Sequence, residues 1–158
     1  MLRTPSMFRL LALILAVTVA GCGDDDPVAP RIEDTTFATG LGVDLAASTR
    51  TSSGLYYRDI VVGTGAIASR GTAVSVRYSG ALANGTVFDS GGPARTPFNF
   101  TVGSNAGIPG FEEGTIGMRV GGKRQVIIPP NLGYGSVRNG PIPANSILVF
   151  TLELLNAN

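Results

Sequence analysis

With 158 residues, of which 44% are apolar and 15% charged, the chain holds material for one hydrophobic core plus extensions. A formal net charge of +1 gives no reason to expect a nucleic-acid partner. The absence of histidine removes the usual Ser-His and Cys-His nucleophile pairs and histidine-based metal sites, and the single cysteine excludes an intrachain disulfide.

Residues 1–21 have the layout of a secretory signal, with Arg3 and Arg9 ahead of an apolar run from Leu10 to Ala20. That run falls short of the roughly 20 apolar residues a membrane-spanning helix needs. Val19-Ala20-Gly21-Cys22 resembles a bacterial lipobox, in which the cysteine is acylated and becomes the new amino terminus. Cys22 is therefore the expected lipidation site, giving an extracytoplasmic, membrane-anchored lipoprotein. Gly23 after the cysteine favours the outer membrane in a diderm host. Residues 22–53 mix Pro, Asp, Thr, Ser and Gly with scattered apolar residues and no sustained period, which predicts a lipidated amino terminus followed by a flexible linker.

The folded domain is expected over residues 54–158. Leu55 to Val62 is β-branched and aromatic and ends at Gly63-Thr64-Gly65, a strand followed by a turn. Gly63-x-Gly65-x-x-Ala68 formally matches a dinucleotide fingerprint, but no helix pattern follows it. From Thr72 to Leu82, Val74, Val76 and Tyr78 alternate with Ser75, Arg77 and Ser79, as in a strand with one buried face. Asn84-Gly85 is a hairpin signal leading into Thr86-Val87-Phe88-Asp89. After a Gly/Pro-rich loop from Ser90 to Thr96, strand character resumes at Pro97, with Phe98, Phe100 and Val102 on one face.

Ile108 to Met118 is the one good helix start. Pro109 suits a first helical position, and Ile108, Phe111, Thr115 and Met118 fall on a single face. Glu112 and Glu113 are neighbours pointing about 100° apart, which predicts a solvated helix start rather than an acid–base pair. Lys123 to Ile128 forms the next strand, stopped by Pro129-Pro130. A long loop from Asn131 to Asn145 carries Gly133-Tyr134-Gly135, and Ile147 to Leu155 closes the chain as a buried strand. The expected class is α+β: a twisted antiparallel half-barrel of about five strands wrapped around one short helix.

Several blocks then carry a family resemblance. Val76-Arg77-Tyr78-Ser79-Gly80, Val87-Phe88-Asp89-Ser90, Pro97-Phe98-Asn99-Phe100, Ile108-Pro109-Gly110-Phe111-Glu112-Glu113-Gly114, Leu132-Gly133-Tyr134-Gly135 and Leu148-Val149-Phe150-Thr151 occur in the order and at nearly the spacing of FKBP-type peptidyl-prolyl cis-trans isomerases, which this chain resembles from about Leu55 to Leu155. The resemblance implies an apolar pocket between sheet and helix. Tyr78, Asp89 and Tyr134 would be its catalytic residues, and Phe88, Phe98, Ile108, Phe111 and Phe150 its substrate-binding residues. Phe111 stands where most members have tryptophan. Gly107 replaces a commonly apolar side chain, and Arg95 lies one place from the family's pocket arginine.

Such a site needs no metal or cofactor. Twisting a peptide bond costs about 18–20 kcal/mol of lost amide resonance, and X-Pro isomerisation is slow enough to limit folding. The planar amide is more dipolar than the twisted one, so a dry aromatic pocket favours the twisted state. The aromatic rings would hold the proline ring, and Tyr134 O–H or the Ile108 N–H would bind a substrate carbonyl. The implied ligands are proline-containing polypeptides and macrolide-type inhibitors, bound by a monomer. The alternative is a binding or chaperone module that keeps the fold with weak or no catalysis, a reading that Gly107 and Phe111 leave open.

Overall fold

The computed structural model describes residues 29–91 and 96–158. The expected signal segment, Cys22 and Arg95 lie outside the described residues. Among the described residues, seven antiparallel strands form one sheet: β1 (Thr49–Arg50), β2 (Tyr56–Val61), β3 (Ala73–Leu82), β4 (Val87–Gly91), β5 (Phe98–Thr101), β6 (Lys123–Ile128) and β7 (Leu148–Ala157), with one α-helix, α1 (Pro109–Thr115), between β5 and β6. The order across the sheet is β1-β2-β6-β7-β3-β4, and β5 also pairs with β3. The sheet is open, as the expected half-barrel requires.

The long strand β3 decides where the site falls. One of its edges pairs with β7 along almost its whole length, from Val74 opposite Ala157 to Leu82 opposite Leu148. The other edge is divided: Ala73 to Val76 pairs with β5, and Tyr78 to Ala81 pairs with β4. Period-two alternation turns Val74, Val76, Tyr78 and Gly80 toward the helix. Val126 and Ile128 of β6, with Phe150, Leu152 and Leu154 of β7, complete that core.

The helix sits close to the sheet because two glycines meet β6. A methyl group at Gly110 would lie 2.4 Å from Ile128 Cγ2, and one at Gly114 would lie 2.8 Å from Val126 Cγ1. These two positions are four apart and share a face, so the helix backbone rests on the strand. The helix ends at Thr115, short of the Met118 predicted from periodicity, and Gly117 turns the chain with φ +80°. Met118 still packs in the core. The buried Arg124 closes the helix end: its Nη1 donates to the carbonyls of Gly114 (3.1 Å) and Ile116 (2.9 Å), while Asp59 accepts from Nε at 2.6 Å and from Nη2 at 3.0 Å. A cation is favourable at that negative end of the helix.

The flexible linker expected over 22–53 gives way, from Ile32 on, to a strap laid on the outer face of the sheet. Ile32 is buried with Tyr56, Ile127, Ile147 and Val149, and Phe37, Leu41, Val43 and Leu45 pack against that cluster. Polar contacts fix it: Ala38 N–H to Ala83 O (2.8 Å), Gln125 Nε2 to Leu41 O (2.7 Å) and the Tyr56 hydroxyl to Glu33 (2.7 Å). The physical reason is that Ile127 and Val149 point away from the helix, and without the strap this apolar surface would face water. Among the described residues no helix is long and apolar enough to cross a membrane.

Candidate active site

All eight side chains proposed for the site line one cavity of about 140 Å³, together with Gly107. β3 supplies Tyr78, β4 supplies Phe88 and Asp89, β5 supplies Phe98, and β7 supplies Phe150. Phe111 comes from the helix, Ile108 from its cap, and Tyr134 from the long loop between β6 and β7. β4 and β5, which divide one edge of β3 between them, thus both contribute to the lining of the cavity.

Phe111 is the floor. Its buried ring meets Tyr78 edge-on at 5.3 Å and 83°, Phe150 at 5.5 Å and 85°, and Phe98 at 5.9 Å and 70°. Edge-to-face pairs of this kind contribute about 0.5–1.5 kcal/mol beyond the area they bury, so the floor is held rigid by its walls. Phe88 stands edge-on to Phe150 at 5.6 Å and 81°. Gly80 makes that contact possible, since a methyl group there would lie 2.7 Å from Phe150 Cε1 and 2.8 Å from Phe88 Cζ. Its place in mid-strand, where glycine signals close approach, is the sequence sign of this role.

The polar groups lie on the rim. The Tyr78 hydroxyl donates to Asp89 Oδ2 at 2.6 Å. The Tyr134 hydroxyl is pushed to a higher pKa, first by burial and then by the Asp89 carboxylate, so it stays a protonated donor at neutral pH. Neither the Tyr134 hydroxyl nor the Ile108 N–H donates to any acceptor among the described residues. The site thus offers two unspent donors beside an apolar hollow. No group of three or more His, Cys, Asp or Glu able to hold a metal occurs among the described residues.

Glu112 departs from its expected solvated position. It is buried, and its carboxylate accepts from the N–H groups of Gly103 (2.7 Å) and Gly107 (3.3 Å). The buried flank of a seven-residue helix and the returning 103–107 loop explain this, and periodicity alone could not reveal the loop. Glu113 faces outward and accepts from the Ser53 hydroxyl at 2.7 Å.

Comparison with known proteins agrees with this geometry. The family model described as FKBP-type peptidyl-prolyl cis-trans isomerase matches residues 65–155. The chain belongs to that family. It is 47% identical over 103 residues to FK506-binding protein 3 of Candida albicans, an alignment covering 65% of this chain and 24% of the relative. It is 44% identical over 114 residues to the FKBP-type isomerase FkpA of Buchnera aphidicola, covering 72% of this chain and 44% of the relative. The chain thus spans about a quarter of the first relative and under half of the second. Among solved structures, AtFKBP13 superposes with a TM-score of 0.66 at 36% identity, over 70% of this chain and 98% of that one. FkpA from Escherichia coli gives 0.65 at 36% identity, over 71% and 52%. These family members share the open antiparallel sheet with one helix.

Proposed function

We propose that this protein is a peptidyl-prolyl cis-trans isomerase that accelerates X-Pro isomerisation in exported polypeptides while held on a membrane through lipid on Cys22. The observation that carries the reading is the juxtaposition of an aromatic floor with two unspent donors, Tyr134 O–H and Ile108 N–H, around one cavity. A proline ring resting on Phe111 between Phe98 and Phe150 leaves the preceding amide beside those donors. Removing water and binding a carbonyl of the twisted amide lowers the barrier, and each tenfold in rate requires about 1.4 kcal/mol of selective transition-state binding. Tyr78 and Asp89 hold the adjoining wall. Macrolides of the FK506 type would occupy the same hollow and compete with substrate.

The lipobox-like run before Cys22 supports the anchored, export-side role. Since the strap is packed from Ile32 onward, the spacer after Cys22 is residues 23–31, which reach at most about 30 Å when fully extended. The domain would therefore work close to the membrane surface, as a monomer, on chains emerging there.

The test is a protease-free isomerisation assay on a soluble form beginning at Gly23, so that the strap is retained, with short X-Pro peptides as substrates. Turnover above the uncatalysed rate is expected, blocked by an FK506-type macrolide. A rate equal to the blank with peptide binding preserved would instead leave a proline-binding chaperone module. Mass spectrometry of the mature amino terminus tests the anchor, and an unmodified Cys22 would remove it.

A further inference from the structure

We infer that Glu112 is a positioning residue for the pocket: its buried carboxylate holds the 103–107 loop so that the next backbone donor, Ile108 N–H, is presented unpaired to the substrate. This rests on the isomerase reading above for the identity of the substrate, and on the hydrogen-bond geometry for the rest.

Glu112 follows the floor residue Phe111 on the helix and reaches back over the chain that leads into it. Its two oxygens are used separately, Oε2 accepting from Gly103 N–H at 2.7 Å and Oε1 from Gly107 N–H at 3.3 Å. Gly103 is the turn at the end of β5, with φ +91°, and Gly107 lines the cavity. One carboxylate therefore pins both ends of a loop whose last residue is pocket wall. Ile108 continues from that pinned end. Its carbonyl accepts from Phe111 N–H at 3.0 Å, and its N–H is left without an acceptor among the described residues. The order of partners along the chain matters: Gly107 N–H is consumed by Glu112, and Ile108 N–H is kept for a ligand.

A carboxylate is the group this job requires, because each N–H needs an acceptor and a carboxylate supplies two without a donor. Glutamine would keep one acceptor and place an NH₂ against the second N–H. Burial strengthens both bonds, and Arg70 lines the adjoining cleft together with Glu112 and Glu113. Nothing here makes Glu112 touch the substrate; it acts through the loop.

Glu112→Gln in the form beginning at Gly23 is compared with wild type and with Glu113→Gln, whose carboxylate binds Ser53 outside the pocket. For an X-Pro tetrapeptide, Glu112→Gln should raise KM about tenfold with kcat within about twofold, and amide exchange at Gly107 should accelerate at least about tenfold. Glu113→Gln should change neither. A faster-exchanging Gly107 amide with unchanged KM would overturn the positioning role. Should the Gln variant fail to fold, wild-type amide exchange decides. Free protein should show Gly107 protected and Ile108 unprotected, with Ile108 becoming protected on saturation by the peptide. Equal protection of Ile108 before and after would also overturn the inference. Wild-type protein that binds the peptide and protects Ile108 without turning it over would sink the isomerase reading and leave the role of Glu112 standing.

Discussion

The Tyr78 hydroxyl donates to Asp89 Oδ2 at 2.6 Å, tying the inward face of β3 to the neighbouring strand β4 at the rim of the aromatic cavity. Asp89 is exposed, so the bond shapes the pocket wall more than it stabilises the fold. Tyr78→Phe should lower kcat/KM about three- to tenfold, equivalent to about 0.7–1.4 kcal/mol of transition-state stabilisation, with a melting temperature within a few degrees of wild type. Asp89→Ala should do at least as much, since it also removes the carboxylate beside Tyr134. Unchanged turnover in both variants would remove this pair from the site.

The raised pKa of Tyr134, caused first by burial and then by the Asp89 carboxylate, fixes the direction of its pH dependence. Its folded-state pKa lies above the ordinary tyrosine value of about 10, so its contribution is complete below that value and is lost as pH rises through the folded pKa. Turnover at a fixed low substrate concentration should be flat from about pH 6 to 9 and decline only above about pH 10. Tyr134→Phe should abolish the alkaline decline and lower kcat/KM throughout.

Gly107 leaves room at the pocket wall. A methyl group there would lie 3.7 Å from Phe98 Cε1 and 4.0 Å from Phe111 Cδ1, ordinary contact distances, and its backbone is not left-handed. Gly107→Val should therefore fold and narrow the hollow with added apolar surface. Tighter binding of an FK506-type macrolide, by about 1–2 kcal/mol, is the expected result in a calorimetric titration, from roughly 25 cal/mol per Å² of apolar area buried.

The helix seat is the opposite case. At Gly110 a methyl group would lie 2.4 Å from Ile128 Cγ2, on a β-branched side chain already buried in the core. Gly110→Ala should destabilise by about 1–3 kcal/mol through overpacking, despite alanine's better helix propensity, and should displace the Phe111 floor. Chemical denaturation measures the loss, and a gain in stability would show that the helix can lift off β6 freely.

The strap contributes stability. Ile32→Ala should cost about 2–5 kcal/mol, the usual range for truncating a fully buried aliphatic side chain. A fragment starting near Ser52 should expose Tyr56, Ile127, Ile147 and Val149 and aggregate, whereas the form from Gly23 stays monomeric in size-exclusion chromatography. Equal stability of the two forms would show the strap to be ornamental.

The sequence alone determined most of the domain. Alternation along β3, the Asn84-Gly85 turn, Pro109 at the helix start and the apolar run of β7 are local signals, set by the two-residue and 3.6-residue periods, and each appears where those periods place it. The order and spacing of aromatic residues, through a family resemblance, also named the side chains that share the cavity. Tertiary structure decided what no period carries. Residues 32–50 have no regular pattern, and their fate depended on the far face of β6 and β7, whose unbroken apolar runs at Val126-Ile127-Ile128 and Ile147-Leu148-Val149-Phe150 require cover on both sides. Glu112 was buried by a loop that folds back over it, and Gly80, Gly110 and Gly114 gained meaning only from the rings and branched side chains brought against them. Periodicity reports which face of an element is apolar; which partner covers that face, and how closely, is settled only when distant parts of the chain meet.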